Sequence, residues 1–164
     1  MKNVTVGTYR KDKLYPRVVW AVASLLRDLD EISPVAVFMR TGNLSSKDYE
    51  AWRRGQVPCL ERVFQGNLSK ANRYLRILRF HVHDLNMVPS QHTYRQYGRK
   101  RILRFSLSGD AGVEQAYARH FRWNQSKEKK QAYIEQALSE NIVAEATSKI
   151  ALFQDPVSPP RDQI

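Results

Sequence analysis

The sequence predicts a mainly α fold: a compact helical domain with helix-turn-helix-like corners and one β-hairpin. This is a winged-helix-like arrangement with minor α+β character. Apolar residues recur at helical spacing before residue 86 and again after residue 110. Short Gly-containing turns separate the early helical segments, as in a helix-turn-helix. Between the two helical regions, residues 92–106 are rich in β-forming residues and surround a Gly-Arg-Lys turn.

One globular domain is expected, because 164 residues can bury one sizeable core and are too few for two large ones. We predict that this domain spans residues 14–152. Its parts are a helical core, a hairpin wing and C-terminal helices, at residues 14–86, 91–107 and 111–152. Residues 1–13 are predicted to be a flexible basic arm, and the Pro-rich residues 153–164 a disordered tail.

The early helices are predicted from local start and stop signals. Ser33 before Pro34 has the pattern of an N-cap followed by the first helical residue. Ser45 or Ser46 is predicted to cap the next helix, which ends at Gly55. The predicted helices in this part of the chain cover residues 14–29, 34–39, 46–54 and 59–64.

The most informative stretch is residues 67–86, where apolar and basic side chains separate onto opposite sides of one predicted helix. Asn67 is the predicted N-cap, and Asn86 is expected to turn the chain in the left-handed conformation after the last turn. Asp84 is the only acidic residue here, so the basic face gains little from ion pairs within the helix. An anionic partner outside the helix is therefore expected. The apolar stripe predicted to face the core consists of Leu68, Ala71, Leu75, Leu78, Val82 and Leu85.

A wing with a basic tip is predicted after this helix. Its two strands are expected at residues 92–97 and 101–106, on either side of the glycine turn. Tyr94 and Tyr97 alternate with arginines, and such mixtures of stacking surfaces and cations are used in contacts with nucleic acids.

Two further helices are predicted beyond the wing. Asp110 is expected to cap a helix over residues 111–123, and Ser126 opens a longer amphipathic helix. The apolar face of that last helix is expected either to pack on the core or to pair two protomers in a homodimer.

The distribution of charge indicates the class of partner. The formal net charge is +11 and the isoelectric point is near 10.0. Residues 46–106 contain 13 Lys or Arg against 4 Asp or Glu, so a net charge of +9 lies in the middle third of the chain. A concentrated basic excess is typical of proteins that bind a phosphate backbone.

These patterns predict a nucleic-acid-binding protein, most specifically one that binds double-stranded DNA through a basic helix and the wing. A transcriptional regulator and an accessory protein of a mobile element both fit. Two alternatives remain: an RNA-binding protein, and a non-enzymatic module that docks an acidic protein partner. The predicted nucleic-acid-binding residues are Arg53, Arg54, Lys70, Arg73, Arg76, Arg79, Tyr94, Arg95, Tyr97, Arg99, Lys100, Arg101 and Arg104.

No catalytic residue, cofactor or metal ligand is predicted. The sequence contains no Gly-rich phosphate loop, nucleophile elbow or spaced carboxylate motif. Its single cysteine, Cys59, excludes an intrachain disulfide and a cysteine-built zinc site.

The histidines do not form a ligand pattern in sequence. His81 and His83 are two residues apart on a predicted helix, so their side chains point in different directions and cannot share one ion. Glu31 belongs to an acidic cluster that is expected to be a solvated helix end. His92 and His120 are isolated in sequence, and only the fold decides whether either meets a carboxylate.

Four strings resemble a pattern found in small basic bacterial proteins that have no assigned activity. The strings are WRRGQVPCLERV, GNLSK, LRFSLSGD and YARHF, within residues 33–123. The resemblance implies a bacterial origin and one continuous domain, and it brings no ligand or catalytic residue. A cytoplasmic location is predicted, since no apolar run reaches the roughly 18 residues of a membrane span and no secretory signal begins the chain.

Overall fold

Six α-helices and one small antiparallel sheet lie within residues 4–148, the part of the chain that the computed structural model describes; side chains are described to residue 140. The helices are α1 (Tyr15–Leu26), α2 (Pro34–Arg40), α3 (Ser46–Arg53), α4 (Leu68–Asp84), α5 (Ala111–Tyr117) and α6 (Lys127–Ser148). The strands are β1 (Glu31–Ile32), β2 (Val88–Gln91) and β3 (Arg119–Arg122), and two 3-10 turns lie at Tyr9–Lys11 and Leu60–Arg62. The predicted mainly helical fold with a minor sheet is confirmed.

The predicted start and stop signals of α4 are confirmed. The α-helix predicted at residues 59–64 is wrong, because only the 3-10 turn Leu60–Arg62 forms there, and α1 ends at Leu26 before the predicted residue 29. The Asn67 side chain accepts a hydrogen bond of 2.8 Å from the Lys70 amide at the start of α4. Asn86, just beyond the end of α4, has a φ of 58°. N-cap bonds to the amide three residues ahead also begin four other helices, from Ser33 in α2, Ser45 in α3, Asp110 in α5 and Ser126 in α6. Local sequence therefore determines where these helices begin.

The sheet has the strand order β1–β3–β2. Its central strand β3 lies where the sequence predicts one continuous helix over residues 111–123, so that prediction is wrong beyond Tyr117. Phe121 in β3 lies opposite Ile32 in β1 and opposite Pro89 in β2. Pairing on both sides outweighs the local helical preference of this stretch. Pro89 is tolerated because β2 is an edge strand.

A short hairpin lies where the sequence predicts the wing, and the two regular strands expected at residues 92–97 and 101–106 do not form. Within the described residues, Arg95 and Ile102 form its single bridge, and Gly98 makes the turn with a φ of 71°. The Leu103 amide still donates to the Tyr94 carbonyl across the hairpin, at 2.8 Å. The pairing stops beyond it because the amides of Phe105 and Ser106 bond to the Glu114 carboxylate instead.

A segment without regular secondary structure, residues 103–107, follows the hairpin, and Leu103, Phe105 and Ser106 within it are buried. Ser106 is 1% exposed, so its backbone groups need partners inside the protein. The Glu114 carboxylate accepts a hydrogen bond of 2.7 Å from the Ser106 amide. Glu61 accepts one of 2.8 Å from the Leu107 amide. Two acidic side chains from different elements thus hold this segment in place.

Helix α1 crosses the centre of the molecule, and α6 packs along it. Val19 and Ala23 of α1 form a small apolar cluster with Ala137 of α6. Up to residue 140, where the described side chains end, the apolar face of α6 therefore packs against α1 of the same chain. The homodimer contact through this helix stays a prediction, and the predicted tail at residues 153–164 lies outside the described residues.

The buried face of α4 differs from the predicted stripe. Leu68 is 41% exposed, so its predicted place in the core is wrong. Tyr74 is 1% exposed and packs against Phe38, with ring centroids 5.7 Å apart. Burial of the Tyr74 ring turns α4 about its axis. The buried face therefore differs from the one predicted from the aliphatic residues alone. The fully buried positions of α4 are Ala71, Tyr74, Ile77, Leu78, His81 and Val82.

The N-terminal segment, expected to be a flexible arm, lies against α4 from residue 4 onward. Val4 and Tyr9 are buried, at 5% and 3% exposed. Tyr9 donates a short hydrogen bond to Asp84 near the end of α4, and Asp12 pairs with Arg73 at 2.5 Å. Basic residues of α4 are therefore partly covered by the chain itself.

His81 is a buried titratable group between α4 and α6. Its Nε2 lies 2.7 Å from the Tyr133 hydroxyl, which also contacts the Val19 carbonyl at 3.3 Å. Because the Tyr133 hydroxyl donates its proton to the Val19 carbonyl, it can only accept a hydrogen bond from the imidazole. In the neutral His81 ring the proton therefore lies on Nε2. Burial lowers the pKa of His81 from 6.5 to about 4.

We predict that His81 makes the protein less stable at mildly acidic pH. Its pKa is lower in the folded protein than in the unfolded chain, so the unfolded chain binds the proton first. The stability is complete above pH 6.5 and falls as the pH is lowered toward 4, by about 3 kcal/mol. Urea unfolding at pH 7 and pH 4 measures this loss in the wild type. His81→Leu should lose about 3 kcal/mol less over the same interval, and an equal loss in both proteins would contradict the assignment.

Candidate nucleic-acid interface

The hairpin presents the most concentrated basic surface of the described structure. Residues 92–105 contain five basic residues and no acidic one. The surface is formed by exposed residues at and beside the turn, here called the hairpin surface: Arg95, Tyr97, Arg99, Lys100 and Arg101. All five are among the predicted binding residues, and the fold brings them together on one solvent-facing tip.

Arg53 fixes the hairpin to the end of α3. Its guanidinium lies over the ring of Tyr97, 4.5 Å from the centroid, and also faces Tyr94 at 5.4 Å and Tyr49 at 5.8 Å. It donates to the Arg95 carbonyl through two nitrogens, at 3.3 and 3.2 Å. The Tyr97 amide in turn donates to the Arg53 carbonyl at 2.8 Å. Arg53, predicted to contact nucleic acid, instead has its donors occupied in holding the hairpin.

Three other predicted residues also have structural partners. Arg54 is exposed and lies 3.8 Å from Glu50 of the same helix. Arg104 donates to the Ser106 carbonyl at 2.8 Å and so closes its own loop. Tyr94 is largely buried, and burial raises its pKa to about 12. Of these three, Arg54 and Arg104 are exposed, but the Arg104 guanidinium is bonded to the carbonyls of its own loop.

The basic face of α4 forms one wall of an open groove of about 690 Å³, and the first turns of α5 form the other. Arg76 and Arg79 are exposed in this groove. Arg76 makes a long contact of 3.4 Å to the Val4 carbonyl, and Arg79 lies over the ring of Phe80. Asp110 lines the opposite wall, which reduces the attraction of the groove for phosphate.

Arg73 and Lys70 are less available than the other two basic residues of α4. Partial burial works to raise the pKa of Asp12, but hydrogen bonds from Arg73 and the Leu14 amide lower it overall. Arg73 is therefore paired at neutral pH. Burial, followed by repulsion from Arg17 and Arg73, lowers the pKa of Lys70. The accessible charge of α4 is concentrated at Arg76 and Arg79.

Sequence analysis missed one polar residue of this groove. Asn72 is exposed on α4 and lines the groove one turn before Arg76. Its amide is able to donate a hydrogen bond to a phosphate oxygen. Its spacing of four residues from Arg76 places it on the same face of the helix, which the sequence could have indicated. It was missed because the prediction was based on charged residues and Asn72 is uncharged.

No protein-family model, curated protein or solved structure matches this chain. Among the described residues, every helix is too short or too polar to cross a bilayer. The candidate interface therefore rests on the arrangement of its own residues.

We predict that Arg53→Ala loosens the hairpin without unfolding the domain. The substitution removes the cation from three tyrosine rings and two bonds to the Arg95 carbonyl, which we expect to cost about 1–2 kcal/mol. Amide hydrogen exchange measured by mass spectrometry should become faster in residues 94–103 and stay unchanged in α1.

Arg54→Ala is the matched control, because it removes an adjacent arginine whose ion pair with Glu50 is long and solvent-exposed. Unchanged exchange in Arg53→Ala, or an equal increase in both variants, would show that Arg53 does not anchor the hairpin.

Proposed function

We propose that the protein binds double-stranded DNA, with the hairpin surface gripping the phosphate backbone. The observation that carries this proposal is the hairpin surface itself, with four exposed cations and one exposed tyrosine on a tip anchored by Arg53. Cations held in place on a docked hairpin bind polyanions with less loss of side-chain and backbone entropy than cations on a free loop. Exposed Arg and Lys side chains of this kind commonly contact the phosphate backbone of nucleic acids.

The order of the elements supports a winged-helix type of binding. The expected winged-helix arrangement places the helix that contacts the duplex directly before the strands that carry the wing. Here β1 follows α1, β3 lies between β1 and β2, and α4 directly precedes β2. The chain departs from that pattern in the long connection between β2 and β3, which contains the hairpin and α5.

Helix α4 supplies the second contact in this proposal. Arg76 and Arg79 are one turn apart on its exposed face, so both can reach neighbouring phosphates. The N-terminal segment and α5 flank this face, so α4 has no room to enter a major groove deeply. We therefore assign these arginines to positioning on the backbone, with little direct reading of base edges.

One observation favours a second candidate, the binding of single-stranded nucleic acid. Tyr97 is 43% exposed, and an unpaired base is able to stack on the ring face that Arg53 leaves free. Comparison of duplex with single-stranded DNA and RNA separates the two candidates.

We predict salt-dependent binding of random duplex DNA, measured by fluorescence anisotropy. Arg99→Gln combined with Lys100→Gln removes two proposed phosphate contacts. The slope of log affinity against log salt should then become less steep by about 2, since each contact contributes about 0.9. Arg76→Gln with Arg79→Gln should reduce the slope by a similar amount.

The matched control is Lys127→Gln with Lys129→Gln, which removes the same charge from exposed positions on α6. It should leave the slope nearly unchanged. An equal effect of all three double substitutions would show that net charge alone attracts the DNA, and it would contradict specific contacts from the hairpin surface and α4. Absence of binding to any nucleic acid at low salt would overturn it and favour an acidic protein partner.

A further inference from the structure

Glu31, His92 and His120 meet at one end of the sheet, although 89 positions separate the first from the last. The Glu31 Oε2 atom lies 2.8 Å from His120 Nδ1 and 3.4 Å from His92 Nε2. The ligand-type atoms of all three side chains lie within 4.8 Å of one another. Each residue comes from a different part of the sheet: Glu31 from β1, His120 from β3, and His92 from the position directly after β2.

We propose that Glu31, His92 and His120 form a binding site for a divalent transition-metal ion of the zinc class. Two imidazoles and one carboxylate are a common ligand set for such ions, with a fourth position open to water. The site is independent of the proposed DNA binding, since none of its three residues belongs to the hairpin surface or to α4.

The distances fit a small ion after modest movement. In a tetrahedral zinc site with bonds of about 2.1 Å, ligand atoms lie about 3.4 Å apart. The contact between Glu31 and His92 already has this length, and that between Glu31 and His120 must lengthen from 2.8 Å to about 3.4 Å. The two imidazole rings are stacked with centroids 3.7 Å apart, so His92 must tilt to direct its lone pair at the ion. Its side chain is 39% exposed, which leaves room for that rotation.

Tyr94 completes the site from behind His120. The Tyr94 hydroxyl lies 2.7 Å from His120 Nε2, the ring nitrogen that faces away from Glu31. When an ion takes Nδ1 of a neutral imidazole, the ring proton resides on Nε2 and is donated to this hydroxyl. Metal-bound histidines almost always have such an outer partner, which fixes the ring orientation. Tyr94 is a positioning residue in this site and does not touch the ion.

The same residues connect the site to the hairpin. His92 is the first residue after β2, and its amide donates to the Ala118 carbonyl at 2.9 Å, next to β3. Tyr94 is two residues further along and packs beside Trp52, with ring centroids 5.6 Å apart. An ion at Glu31, His92 and His120 would therefore tie all three strands together at the base of the hairpin.

The test is titration of the untagged protein with ZnCl₂ by calorimetry, with Co²⁺ absorption as a report on ligand geometry. We expect one saturable site per chain and the visible bands of tetrahedral Co²⁺. His92→Ala should abolish both, and Glu31→Gln should weaken binding by at least about tenfold. His83→Ala is the matched control, because His83 is exposed on α4 and lies outside the site.

Two further measurements keep the result free of folding artefacts. His92 is half-exposed, so its variant should retain the far-UV circular dichroism of the wild type, and Zn²⁺ should raise the Tm of the wild type alone. Tyr94→Phe keeps the ring and removes the outer hydrogen bond, which should weaken Zn²⁺ binding by about tenfold. No saturable binding up to about 100 μM Zn²⁺, or binding that His92→Ala leaves unchanged, would overturn the proposal.

Discussion

The carboxylates of Glu61 and Glu114 satisfy a constraint on which much of the structure depends. The chain leaves the hairpin through residues 103–107, which form neither helix nor strand and place Leu103, Phe105 and Ser106 in the core. Backbone amides in such a place lose their water and must be paired inside the protein. The two carboxylates accept the amides of Phe105, Ser106 and Leu107. Replacing either by an apolar residue would leave buried donors unpaired, at a cost of about 1–3 kcal/mol each.

That constraint also positions the candidate surfaces. Trp52, which is fully buried, donates from its indole nitrogen to the Arg104 carbonyl at 2.9 Å, just where the chain enters the buried segment. The next residue of α3, Arg53, holds the other side of the hairpin. Glu61 also accepts a hydrogen bond of 2.7 Å from Tyr117 at the end of α5, directly before β3. The hairpin surface and the strand that carries His120 are thus supported by one connected set of buried polar groups.

Local signals in the sequence predicted helix boundaries well and tertiary arrangements poorly. The caps at Ser33, Ser45 and Asn67 depend on the residue and its near neighbours, so they are visible in sequence. Strand β3 depends on partners far away in the chain, and its sequence RHFR gives no such indication. The exposed residues of the hairpin surface could be grouped from the sequence because they lie within seven positions of one another along the chain. The approach of Glu31 to two distant histidines was not predictable, since it is a product of the sheet order alone.

The position of Pro89 affects how this protein behaves beside other chains. The sheet has two outer edges, β1 with two residues and β2 with four. A foreign strand that extended a sheet would need a row of free backbone donors on such an edge. Pro89 has no amide hydrogen, and β1 is too short to guide a second strand. The sheet that brings Glu31 and the two histidines together is thereby protected against edge-to-edge aggregation.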